Sequence, residues 1–137
     1  MSELDILEHL FSVYDRYWVI VQWWASVSFG LIMIAYFAAD KLRALLLVVI
    51  LVLYLIYSGW VFMLLVYNVE VAYGLFEDLA ALNASGLLES KGAKVALENP
   101  YVGYGTNLGM VALPATFFSC VCYLVYDYIQ ARQSKGT

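Results

Sequence analysis

The chain has 137 residues, 64% of them hydrophobic and only 13% charged, with a mean hydropathy of +0.80 and a net charge of −4. Soluble domains hold about 45–50% apolar and about 25% charged residues, so this composition excludes an ordinary water-soluble domain. The acid excess also argues against a nucleic-acid partner.

The chain opens with "MSELDILEHL", which is acidic and lacks the basic start of a cleaved secretory leader. No removable signal peptide is expected. Ser2 and Asp5 have the spacing of a capping box, which marks a helix start. Leu4, Leu7, Phe11, Tyr14 and Trp18 follow at steps of three and four, with Glu3, Asp5, Glu8, His9, Ser12 and Asp15 between them. This pattern predicts an amphipathic interfacial helix over residues 1–16. Its polar face is acidic, so anionic headgroups would repel it and packing against protein fits better.

Residues 17–39 form the first predicted transmembrane helix. Tyr17 to Ala39 is 23 residues without a charge, and about 20 suffice to cross a bilayer. Gln22, Ser26 and Gly30, four apart, make a small and polar stripe of the kind that packs helices together in lipid. "DKLR", Asp40 to Arg43, follows as a hairpin loop.

Residues 44–67 are the second span, 24 residues without a charge. Its centre reads "YLIYSGW". Tyr54, Tyr57 and Ser58 share a face, and their hydroxyls need partners at that depth. Ser26, Ser28, Thr116 and Ser119 are candidates on the neighbouring helices. The alternative is bonding to carbonyls of their own helix.

Residues 68–107 are predicted to form a partly helical outer cap between spans two and three. Val69, Ala72, Phe76, Leu79 and Asn83 share a face, flanked by Leu75 and Leu82. "NASG", Asn83 to Gly86, reads as a turn ending that helix. "LLESKGAKVALENP" predicts one more short helix, ended at Asn99-Pro100.

Val102 to Gly105 then spell VGYG, which resembles the potassium-channel selectivity filter. Here Pro100-Tyr101 stands where that pattern has threonine immediately before VGYG, and the preceding segment carries two acids and two lysines. The segment is therefore expected to be a glycine-rich turn in the outer cap, with Gly103 or Gly105 at positive φ.

Residues 108–129 are the third span, with 19 uncharged residues from Leu108 to Tyr126. Pro114 predicts a kink near Met110. Ala112, Thr116, Cys120, Tyr123 and Asp127 form a second small-and-polar stripe. Asp127 ends it near the interface and needs a partner, expected to be Lys41 or Arg43. Cys120 and Cys122 are two apart on a helix and cannot bridge, so they read as small packing residues. Residues 130–137 form a short tail.

The short "DKLR" loop beside two spans places the hairpin and the C-terminus in the cytoplasm, and the N-terminus outside. The outer side then holds nine of the eleven acids and three of the seven bases, a net of −6, against +2 inside. A bacterial inner membrane is the expected location.

The chain is thus read as an all-α integral membrane protein with three transmembrane helices, an N-terminal amphipathic helix and a partly helical outer cap. His9 is its one histidine and lies outside the spans, so no haem or metal site is expected. No HExxH, CxxC, GxSxG or phosphate-loop pattern occurs. The expectation is a non-catalytic structural or accessory protein without cofactors. Its partners would be membrane lipid and either further copies or other membrane subunits. The alternative is a pore-forming or ion-conducting oligomer, either holin-like in topology or a channel using the VGYG segment. Three spans with the N-terminus out and the C-terminus in resemble the topology of small phage holins, although the sparse tail "ARQSKGT" departs from their dense basic tail.

Overall fold

The computed structural model describes residues 2–39, 41–98 and 101–134, giving the backbone alone for 101–110. It has four helices, α1 (Glu3–Ala38), α2 (Ala44–Ala84), α3 (Lys91–Glu98) and α4 (Tyr101–Gln133), and no strand among the described residues. Three of the helices are long and apolar enough to cross a membrane. Helices suit these sequences because every internal backbone group is bonded within its own segment, which lipid requires.

The ends of the helices follow local chemistry. At the start of α1, Ser2 Oγ accepts from the Asp5 N–H at 3.2 Å, and the Asp5 carboxylate accepts from the Ser2 N–H at 2.9 Å. The capping box is reciprocal, and two donors without helical partners are satisfied. Hydrogen bonds from Ser2 hold the Asp5 carboxyl below the ordinary carboxylate range. A lowered value in the folded state stabilises the helix start above the ordinary range near pH 4. That contribution is lost as pH falls through the folded value. Ser2→Ala should move the Asp5 titration upward toward the ordinary value, followed by carboxyl-carbon NMR; an unmoved titration would disprove the cap.

At its other end, α2 closes on a Schellman motif. The Leu87 N–H donates to the Leu82 carbonyl and the Gly86 N–H to the Asn83 carbonyl, each at 3.1 Å. Gly86 takes a φ of 74° there, a conformation that side chains with a Cβ disfavour.

Clustering of the backbone divides the chain into two compact units, residues 1–20 with 63–109 and residues 21–62 with 110–137. In the first unit, Ile6, Leu79, Leu88 and Ala93 form a buried core, with Leu7, Leu75, Leu82 and Leu97 packed against it. An eight-residue helix such as α3 is not stable alone in water; this core and one carboxylate hold it. The Glu3 side chain accepts from the Glu89 N–H at 2.9 Å and the Ser90 N–H at 3.0 Å. Ser90 Oγ in turn accepts from the Ala93 N–H at 3.3 Å and caps α3.

In the second unit, Leu31, Ala35, Leu42, Leu47, Tyr54, Cys120 and Leu124 are buried together. Phe117, Val121 and Tyr128 pack on them from α4. The core draws on α1, α2 and α4, as a three-helix bundle does.

One expectation is corrected here, and it concerns VGYG. Helix α4 begins at Tyr101 and takes in Val102–Gly105, so the cap ends earlier than residue 107 and the expected turn is helical backbone. Glycine costs a helix only about 1 kcal/mol against alanine. Tyr101, Val102 and Tyr104 extend the apolar run that follows, and helical continuation keeps each backbone donor bonded. Helix α1 runs unbroken through residues 16 and 17, and α2 continues beyond residue 67 to Ala84. Nothing in either stretch breaks a helix, since both junctions lack proline. Helix α4 also contains Pro114 without interruption.

Candidate functional site

The second unit carries a polar cluster inside its apolar core. Trp24, Ser28, Leu31 and Ala35 recur on α1 at steps of three and four and are all buried. Tyr54 and Val61 on α2, and Cys120 and Leu124 on α4, are buried opposite them. Within this packing the Trp24 indole Nε1–H donates to Ser58 Oγ at 3.3 Å. Ser28 Oγ and Tyr54 Oη share a 2.8 Å hydrogen bond in which either can donate. The Cys120 thiol points at the Ser28 carbonyl at 4.0 Å, a weak contact. The Tyr54 ring stacks on Phe117, with centroids 5.2 Å apart and planes 12° apart.

The cluster links all three helices through groups that satisfy one another. Such bonds are worth about 0.6 kcal/mol on average inside a membrane bundle. Their main effect is register, because sliding any one helix would strand a polar atom in an apolar core.

The predicted packing residues distribute unevenly. Tyr54 and Cys120 are buried in this cluster, and Ser58 and Tyr57 are half-buried beside it, the Tyr57 ring 6.2 Å from Trp60. Gln22 and Ser26 instead face outward, and Ser26 Oγ donates to the Gln22 carbonyl of its own helix at 2.9 Å. A Cβ placed on Gly30 would meet no atom within 4 Å. The stripe is therefore not a contact within the chain. Positions 22 and 26 each lie two residues before the buried 24 and 28. Two residues are about 200° around a helix, which is the opposite face.

Ala112 and Thr116 also face outward, with Thr116 Oγ1 donating to the Ala112 carbonyl at 2.8 Å. A strict spacing of four drifts about 40° per step, so a stripe that is buried at Cys120 has left the core by residue 112. Ser119, one residue before Cys120, is likewise exposed and donates to Ala115.

The expected ion pair is corrected as well. Among the described residues Asp127 forms no ion pair with Lys41 or Arg43. Leu42 inserts into the core at 5% exposure, and this turns the flanking Lys41 and Arg43 outward. Arg132 makes the junction instead. Its Nη2 donates to the Leu42 carbonyl at 3.4 Å, and its guanidinium lies 5.4 Å from the Tyr128 ring centre. Arg132 was not legible as a junction, because a backbone carbonyl leaves no mark in the sequence.

Asn68 was also missed. It is 3% exposed in the first unit, its amide donating to the Leu64 carbonyl at 2.8 Å while Oδ1 has no partner. No group of three or more His, Cys, Asp and Glu side chains could hold a metal among the described residues. No family model matches the sequence, and no similar curated protein or solved structure was found.

Proposed function

We propose that this chain is a non-catalytic structural or accessory subunit of a membrane, which self-associates or joins a larger membrane assembly. One observation carries the reading. In the second unit, small and polar residues lie on the outward faces of apolar helices, Gln22 and Ser26 on α1, with the half-buried Gly30 a turn further on, and Thr116 and Ser119 on α4. A soluble bundle is polar outside as a matter of course, but a span facing lipid is not. There, small and polar faces are the ones that dock on another helix. The Gln22 carboxamide has no bonded partner among the described residues, and an unmet amide is costly in hydrocarbon.

Helix length adds support. At 41 residues, α2 is about 60 Å long, while the hydrocarbon core is about 30 Å thick. Much of α2 therefore stands clear of it. The "DKLR" loop supports an inner-membrane orientation with the N-terminus outside and the C-terminus cytoplasmic.

Gly30→Leu tests the face directly. A Cβ at position 30 meets no described atom within 4 Å, so helicity and thermal stability should hold. The number of chains in the particle should fall, as read by native mass spectrometry. Unchanged particle mass would mean that the face meets lipid.

The pore reading rests on topology. An ion filter needs carbonyls turned away from helical bonding, whereas Val102–Gly105 belong to α4. In planar bilayers the purified protein should pass no more current than protein-free lipid. A steady conductance would favour the pore.

A further inference from the structure

Helix α1 has a second apolar line in the first unit that stands exposed among the described residues. Leu4, Phe11 and Trp18 recur every seven residues and are 74%, 67% and 60% exposed. The opposite face of the same stretch, Ile6, Leu10 and Val13, is buried against the unit's core. Glu8 and Asp15 fall one turn after Leu4 and Phe11 on the exposed line, and both are exposed. The line therefore alternates a large apolar side chain with a carboxylate over four turns. Nine acids and three bases lie in the segments that make up this unit.

We infer that this face docks a cationic amphipathic helix of another membrane-associated protein. The inference rests on the subunit reading above and narrows the partner to one chemistry. Charge decides between the possible occupants. Anionic lipid headgroups would be repelled by Glu8 and Asp15. A second copy presenting the same face would set those carboxylates against each other, and like charges across a helix contact are unfavourable. A basic helix reverses both signs. Its apolar residues would cover Leu4, Phe11 and Trp18. Its lysines or arginines would reach Glu8 and Asp15 and rest on the faces of Phe11 and Trp18, where a cation is attracted to the ring.

The probe is a synthetic helical peptide of leucine and lysine, roughly three heptads long, titrated onto the full chain in neutral detergent. Binding should weaken with salt. It should fall about tenfold in Phe11→Ser/Trp18→Ser and again in Glu8→Gln/Asp15→Asn. Glu77→Gln/Asp78→Asn, also exposed acids of this unit, should change it less than about twofold. A peptide with glutamate for lysine should not bind. Equal losses from the Glu77/Asp78 pair would reduce the effect to diffuse acidity and overturn the proposal. So would Phe11- and Trp18-dependent binding to anionic vesicles, or a drop in copies per particle in Phe11→Ser/Trp18→Ser, which would make the occupant lipid or a second copy. Circular dichroism of each variant excludes unfolding. No peptide binding by a particle of several chains would sink this surface and leave the subunit reading standing. A single-chain particle that binds the peptide would do the reverse.

Discussion

Leu79→Ala should destabilise the first unit by about 2–5 kcal/mol. The side chain is fully buried, and Ile6, Leu88 and Ala93 close around it at 1%, 4% and 1% exposure. These residues come from α1, α2 and the segment around α3, so the cavity would open where three stretches of chain meet. Helix α3 has the least stability of its own and should respond first. Hydrogen exchange at the amides of Ala93 to Leu97 should accelerate before that of α2. Val95→Ala is the control on the same helix. Val95 is 61% exposed, so its loss should change stability by no more than about 0.5 kcal/mol. Equal effects from the two variants would mean that the core is not organised around Leu79.

Tyr54 should separate packing from hydrogen bonding in the second unit. Tyr54→Ala removes a buried ring stacked on Phe117 and should cost about 3–5 kcal/mol. Tyr54→Phe keeps the ring and loses only the 2.8 Å bond with Ser28. Bonds of that kind average about 0.6 kcal/mol inside membrane bundles. Ser28→Ala should cost a similar small amount, and the double variant Ser28→Ala/Tyr54→Phe little more than either single one. Unfolding in mixed detergent measures all four. If Tyr54→Phe proves as damaging as Tyr54→Ala, the hydroxyl and not the ring holds the bundle.

Local chemistry made part of this fold legible from the residues alone. The apolar runs announce long helices, because span length is set by hydrocarbon thickness. Ser2 with Asp5 and the glycine at 86 mark a helix start and a helix stop, since capping depends on side chains within a few residues. The packing faces were much less legible. In a soluble helix the apolar stripe points inward, but the uncharged stretches of α1 after Tyr17 and of α4 up to Tyr126 are apolar nearly all round, so no periodicity selects a face. The small-and-polar stripes seemed to supply the missing direction. On α1, Gln22 and Ser26 lie instead about half a turn from the Trp24–Ser28–Leu31 line, and on α4 the stripe reaches the core only at Cys120. Lys41 and Arg43 misled for a related reason. Their proximity to Asp127 along the membrane normal was readable, but the insertion of Leu42 between them was not. The VGYG segment shows that four residues do not set their own conformation when an apolar helix continues on one side.

The central claim is that the chain works as one part of a membrane assembly, with the outward polar faces of α1 and α4 as its docking surfaces. The most direct test is the mass of the particle extracted from its own membrane in mild detergent. The predicted result is a particle whose protein mass is a multiple of 15.4 kDa, or that of the chain with other subunits. A particle holding 15.4 kDa of protein and no more would contradict it.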